Sequence, residues 1–202
     1  MIADMVDRFH PNWAVACSWG KDSMVLTGLT REVYPDIPIK LFFTDTARKP
    51  VETYDHIITV LNSDLAPLEV LTYSSQAPLL DCATCKEWKA KAALEGPATL
   101  GLKALLVGIR ADEHPALAEL PATEKIGEVT RQYPLLQWSE EDVWAYMKSR
   151  DLPKHPLYAE GYRSIGCAAP CSMPVPMGGG ERDGRIQEQD SRRAILRGAG
   201  YW

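Results

Sequence analysis

The chain has 202 residues, 46% apolar and 24% charged, with 22 basic against 27 acidic side chains and a net charge of −5. That length suits one domain with a full hydrophobic core, and the mild acidic balance argues against a broad nucleic-acid- or membrane-binding face. No apolar run is long enough to span a bilayer, and the acid-bearing start "MIADMVDRFH" lacks a signal-peptide core. A cytoplasmic protein is expected, whose five cysteines serve as metal ligands, reactive thiols or core residues rather than structural disulfides.

In chain order, "WAVAC" (Trp13–Cys17) reads as a short apolar strand, with Cys17 in the core. Lys21–Val33 reads as a helix with Val25, Leu29 and Val33 on one face. "IPIKLFFT" is a second strand, and Pro50 opens a helix in which Val51, Tyr54, Ile58 and Leu61 share an apolar face. "LEVLT" is a third strand, "TCKEWKAKAALEG" a helix ended by Gly96, and "KALLVGI" a fourth strand. Arg110–Lys125 carries two prolines and no clear period, and is expected to be a mobile loop over a site. "EVTRQYPL" returns as a strand, and Ser139 caps the helix "SEEDVWAYMKSRD". "APCSMPVPMGGGERDG" is irregular by its Pro and Gly content, and a last helix is expected near Gln187–Arg197. The chain divides into a nucleotide-binding α/β domain over residues 1–175 and a basic tail over residues 176–202. Arg182, Arg185, Arg192 and Arg193 make that tail either a solvated helix or a segment that closes over phosphate or docks a partner.

Strand–helix alternation predicts an α/β fold: a parallel sheet of the five-stranded type with helices on both faces, and an irregular C-terminal extension. Ligands of such sheets bind beyond the carboxyl ends of the strands. "SWGKDS", "TDT" and "GIR" all lie at such ends, so Ser18–Ser23, Asp45–Thr46 and Gly108–Arg110 should converge on one crevice. In the first of these, a strand runs through Ser18 and Gly20 into a helix starting near Lys21. Amides at a helix N-terminus point at an anion, and the helix dipole favours it. Gly20 allows close backbone approach, Ser18 and Ser23 add hydroxyls, Lys21 neutralises charge, and Asp22 calls for a bridging Mg²⁺. Val15 and Asp22 stand where a Walker loop needs glycine and a hydroxyl residue. Arg110 follows a strand end directly, where it meets phosphate or sulfate, whereas the four histidines read as surface or loop residues.

The motif resembles the PP-loop, S-x-G-K-D-S, of the adenine-nucleotide α-hydrolase superfamily, in the branch of phosphoadenylyl-sulfate reductases and sulfate adenylyltransferase small subunits. "FFTDTARKPVETY" is similar to that branch's D-T-G segment with Ala47 in place of glycine, "GIRADE" to its arginine motif, and "YPLLQWSEEDVWAYMKSRDLPKHPLYAEGYRSIGC" to its P-L-x-x-W segment. "ERDGRIQEQDSRRAILRGAGYW" resembles the tail of the adenylyltransferase subunits. The resemblance implies ATP with Mg²⁺ held by Ser18, Gly20, Lys21, Asp22, Ser23, Asp45, Thr46 and Gly108, with Lys21, Asp22 and Arg110 catalytic.

"CATC" and "CAAPC" place Cys82 with Cys85 and Cys167 with Cys171. Four thiolates suit Zn²⁺ or an iron–sulfur cluster. The layout resembles the [4Fe-4S] site of adenylyl-sulfate reductases, which puts the cluster ahead of zinc, and all four sulfurs are expected beside the crevice. The complete loop favours an ATP-cleaving or adenylyl-transferring enzyme of sulfur metabolism or sulfur transfer. The alternatives are an adenylyl-sulfate reductase using an external, thioredoxin-like thiol donor, because no cysteine follows Cys171, and a non-catalytic nucleotide-binding subunit. A partner subunit or homodimer stays open, as does nucleic acid, for which the net charge gives no support.

Overall fold

The computed structural model describes residues 1–76 and 81–185; the side chains of Cys82, Ala83 and Ala116 lie outside it, as does the helix expected near Gln187–Arg197. Six strands form one sheet: β1 (Trp13–Ala16), β2 (Ile39–Asp45), β3 (Leu68–Ser74), β4 (Ala104–Val107), β5 (Thr123–Ile126) and β6 (Val129–Gln132). Their order is β3-β2-β1-β4-β6-β5, and every neighbouring pair is parallel except β5 with β6. The expected five-stranded parallel sheet is β3-β2-β1-β4-β6, and β5 adds an antiparallel sixth strand at its edge. It comes from the segment read as a mobile loop, which instead makes two 3₁₀ turns, Ala111–Glu113 and Pro115–Leu117, before pairing as β5. Leu117 and Leu120 bury against Ile109, Tyr133 and Leu136, which holds the segment down.

Among the described residues five helices cover the sheet: α1 (Ile2–Phe9), α2 (Lys21–Val33), α3 (Val51–Leu61), α4 (Cys82–Thr99) and α5 (Glu140–Ser149). Strand side chains alternate between two cores. Trp13, Val15, Leu41, Phe43, Ala104 and Leu106 face one, with Met5 of α1, Leu26 of α2, Val60 of α3 and Met147 of α5. Ala14, Phe42 and Leu105 face the other. There Gly96 of α4 sits so close that a Cβ on it would lie 3.0 Å from both Phe42 and Tyr73. Gly96 therefore serves packing rather than termination, and α4 runs through it and Pro97 to Thr99.

Two sequence expectations fail on α3. Val51 and Ile58 are 66% and 62% exposed, while Thr53, His56 and Val60 are buried. The polar side chains win the inner face because His155 waits there: its Nε2 lies 3.0 Å from Thr53 Oγ1, and its ring centroid 5.1 Å from that of His56. His56 and His155 are thus core residues, not surface ones, and burial pushes both imidazoles down to about 4. Among the described residues no helix is long and apolar enough to cross a membrane.

Candidate active site

The strand order reverses between β1 and β4, and the loops leaving these two strands open a cleft of about 290 Å³. The β1 loop is stiff. Trp19 adopts φ 66°, a left-handed conformation uncommon for a bulky residue, and its fully buried ring meets Phe43 edge-on at 5.6 Å. Gly20 is the N-cap of α2 and has no side-chain cap. The Lys21 amide donates to the Tyr158 hydroxyl at 2.8 Å, and Ser23 Oγ donates to the Gly20 carbonyl at 2.9 Å. Gly108 presses against this turn: a Cβ there would lie 3.0 Å from the Asp22 carbonyl oxygen.

Lys21 and Arg110 are buried to 1% and 0% exposure. The Lys21 amine does not stand open in the crevice but is enclosed by carboxylates. Lys21 Nζ donates to Asp22 at 3.1 Å and to Glu181. Arg110 donates to Asp22 at 2.7 Å, to Asp112 at 3.2 Å and to Glu181 at 2.6 Å. Burial works against both cations, but Asp22 and Glu181 outweigh it and hold them above their usual ranges. Burial also opposes ionisation of Glu181, yet Lys21 and Arg110 hold its carboxyl below the usual range. Glu113 moves the other way, pushed up by burial and by the charges of Asp22 and Glu181.

Glu181 was not foreseen as a site residue. It arrives on the segment after Gly180, which also brings Arg182 within 3.3 Å of Glu113 and Arg185 onto Ser164, Ser172 and the Ile165 carbonyl. Gly166 leaves room for that guanidinium, since a Cβ on it would collide with Arg185 Nη1 at 1.6 Å. Arg182 and Arg185 both line the cleft, and Arg192 and Arg193 lie outside the described residues.

Ser18, Gly20, Lys21, Asp22, Ser23 and Gly108 line the cleft, whereas Asp45 and Thr46 do not. Asp45 accepts from the Ala47 amide at 2.9 Å and the Tyr54 hydroxyl at 3.0 Å, closing the turn after β2. Ala47 has φ 54°, so the resembled family's glycine at this position answers a backbone need that Ala47 meets under strain. Thr46 is fully buried, with Oγ1 3.1 Å from Cys167 Sγ.

Cys85, Cys167 and Cys171 form a buried cluster. Cys85 lines the cleft, and its Sγ lies 3.5 Å from that of Cys167. Tetrahedral thiolate–metal bonds of about 2.3 Å separate sulfurs by about 3.8 Å, so this pair has the spacing of a shared ion. The hydrogen bond from Cys85 and the charges of Lys89 and Lys49 pull the Cys167 thiol well below its usual range. In turn, burial and the nearby Lys89 charge push the Lys49 amine down to about 8. Cys171 is disulfide-bonded, which departs from the expected set of four thiolates; the same proximity serves a covalent bond when oxidised and a metal when reduced. Among the described residues no group of three or more His, Cys, Asp or Glu is arranged to hold a metal ion. The donor chemistry fits a soft metal centre only in the reduced state. Cys17 lies under the loop, where burial pushes its thiol up to about 12, an inert core group.

The phosphoadenosine phosphosulfate reductase domain family matches residues 12–174. An adenosine 5'-phosphosulfate reductase of Allochromatium vinosum is 33% identical over 186 residues, covering 84% of this chain and 72% of its own. A phosphoadenosine 5'-phosphosulfate reductase of Alteromonas mediterranea is 29% identical over 181 residues, covering 82% and 71%. Among solved structures, the phosphoadenylyl-sulfate reductase of Candida auris in its phosphate complex aligns with a TM-score of 0.63 at 21% identity, covering 82% of this chain and 86% of that one. The U34-tRNA thiolase NcsA of Methanococcus maripaludis, with its [4Fe-4S] cluster, aligns with a TM-score of 0.60 at 18% identity, covering 98% and 72%. At these identities the two structures share the fold.

Proposed function

Because this chain belongs to the phosphoadenosine phosphosulfate reductase family, and with it to the enzymes of sulfur metabolism, we propose that it binds an adenylyl sulfonucleotide and reduces its sulfate to sulfite at the expense of an external dithiol. The observation that carries this reading is the cleft itself, lined together by the β1 loop, Cys85, Arg182 and Arg185.

One thiolate of a thioredoxin-like partner attacks the sulfate sulfur. The bond from that sulfur to the bridging oxygen breaks, and adenosine monophosphate leaves with the electron pair. The second thiolate then attacks the first thiol sulfur, forming a disulfide and displacing sulfite, so the dithiol supplies both electrons. The chain's own residues position and neutralise: Arg182, Arg185 and Lys89 line the cleft and offset the charge gathering on the departing phosphate. With the Cys171 disulfide reduced, Cys82, Cys85, Cys167 and Cys171 are the residues that would hold an iron–sulfur centre. Such a centre would supply electrostatic stabilisation tuned by the hydrogen bonds and charges around its sulfurs. A cytoplasmic, reducing location keeps this set available.

A second reading, cleavage of ATP at its α-phosphate with Mg²⁺ on Asp22, is favoured by the complete Ser18–Ser23 loop. One assay separates the two. Anaerobic protein given adenylyl sulfate, thioredoxin and a thiol reductant is expected to release sulfite, and the same protein given ATP and Mg²⁺ to release no pyrophosphate. Pyrophosphate without sulfite would replace the first reading by the second.

A further inference from the structure

The cleft holds its charges unevenly. At the loop, Lys21 and Asp22 line the cleft, and Arg110 and Glu181 stand behind them outside its lining; the two cations share the two carboxylates, with Asp112 a further partner of Arg110. The rest of the cleft lining carries Lys49, Lys86, Lys89, Arg131, Arg182 and Arg185, with Glu113 beside Arg182. The asymmetry rests on one side chain that the loop does not contain. Glu181 is 160 residues from Lys21 in sequence, its side chain is 11% exposed, and its two oxygens divide between the amine and the guanidinium. A carboxylate in that position is a built-in anion on the cations of a phosphate loop.

We propose that Glu181 sets the specificity of this cleft, standing in for a pyrophosphate group at Lys21 and Arg110. The cleft then takes adenylyl ligands whose anionic groups sit on the Arg182–Arg185 side, and turns away pyrophosphate and nucleoside triphosphates. This deepens the reductase reading, on which its choice of ligand rests: an adenylyl sulfonucleotide carries a single α-phosphate and a sulfate, with no diphosphate for the loop to hold. An incoming diphosphate must either expel Glu181 from two buried ion pairs or sit beside its charge in a cleft of low dielectric, and both are costly.

The test is equilibrium binding of inorganic pyrophosphate, ATP and adenosine monophosphate to the full chain and to Glu181→Gln and Glu181→Asp. Glu181→Gln is expected to tighten pyrophosphate and ATP at least tenfold while changing adenosine monophosphate less than threefold, and Glu181→Asp, which keeps the charge, to stay near the parent. An unchanged or undetectable pyrophosphate affinity in Glu181→Gln, or equal tightening of the monophosphate, overturns the proposal. A second measurement reads the segment itself: saturating pyrophosphate should leave tryptic cleavage after Arg182 unchanged in the parent chain and speed it at least threefold in Glu181→Gln, and unchanged cleavage in Glu181→Gln overturns the proposal. Sulfite assays do not enter either measurement. Absent sulfite would therefore defeat the reductase reading alone, and a failure here would leave sulfite formation standing.

Discussion

At the loop end of the cleft, the residues that grip an anion are consecutive in sequence, held by main-chain hydrogen bonds, and already neutralised by Asp22 and Glu181. At the thiol end, Cys85 and Cys167 come from segments 82 residues apart and sit among cations, one of which, Lys49, is pushed down to about 8 by burial and by the charge of Lys89. The first end is electrically closed, and the second is open only in the sense that the described lining there carries more cations than carboxylates. The contrast teaches that a motif's presence does not say whether its charges are available. The loop best matched to phosphate is the one whose cations the protein has already occupied.

The sharpest way to test the open end is to remove a thiol. In chain purified and reconstituted with iron and sulfide under anaerobic, reducing conditions, Cys85→Ser is expected to lose the bound metal and its visible absorption almost entirely, read by elemental analysis and spectrum. Full metal content in this variant would show that the thiol end is not a metal centre. Zinc without visible absorption in the parent chain would select the single-ion spacing that the Cys85–Cys167 pair displays.

The closed end is broken by Lys21→Ala. Removing one cation from a buried network leaves Glu181 and Asp22 sharing Arg110, and a loss of about 3 kcal/mol is expected in denaturant unfolding. Affinity for adenosine monophosphate should change less than threefold in the same variant, by titration calorimetry, because Asp22 and Glu181 already occupy that amine. A loss of affinity with unchanged stability would mean that the network is not what holds the loop shut.

The smallest effect concerns the histidine pair behind both ends. His155 packs edge-on to Tyr158, which in turn accepts from the Lys21 amide. Both His56 and His155 are pushed down to about 4, so between about pH 4 and 6.5 the unfolded chain binds more protons than the folded one. Stability should therefore decline as pH falls through that window, by about 2 kcal/mol for each imidazole from pH 7 to pH 5, and stay level above it. A flat profile in urea unfolding would place these rings in contact with solvent.

Much of this arrangement is legible in the sequence where information is local. The α2 boundaries, Lys21 and Val33, follow from periodicity and from the glycine that precedes them, and the Ser139 cap of α5 from its hydroxyl and the acids after it. What escapes is what distant partners decide. The outward turn of Val51 and Ile58 cannot be seen without His155, which makes the polar side of α3 the better one to bury. β5 is hidden because its alternation is half-exposed and depends on β6 for pairing. Glu181 lies in a Gly-rich stretch whose composition reads as irregular, and only its long-range pairing with Lys21 and Arg110 reveals a role. Asp45 and Thr46 illustrate the converse: the motif is local and recognisable, but its side chains serve the turn and Cys167 rather than the cleft.

Trp19 carries one further consequence. A bulky residue held at φ 66° stores backbone strain of order 1–3 kcal/mol, and complete burial of its ring against Phe43 keeps it there. The loop's shape is therefore set when the chain folds, not when a ligand arrives. Its conformational entropy is lost in advance, so association is spared that cost and gains affinity from preorganisation rather than from added contacts. Such a loop acts as a fixed template, and the segment bearing Glu181, not the loop, is left as the element whose rearrangement admits or refuses a guest.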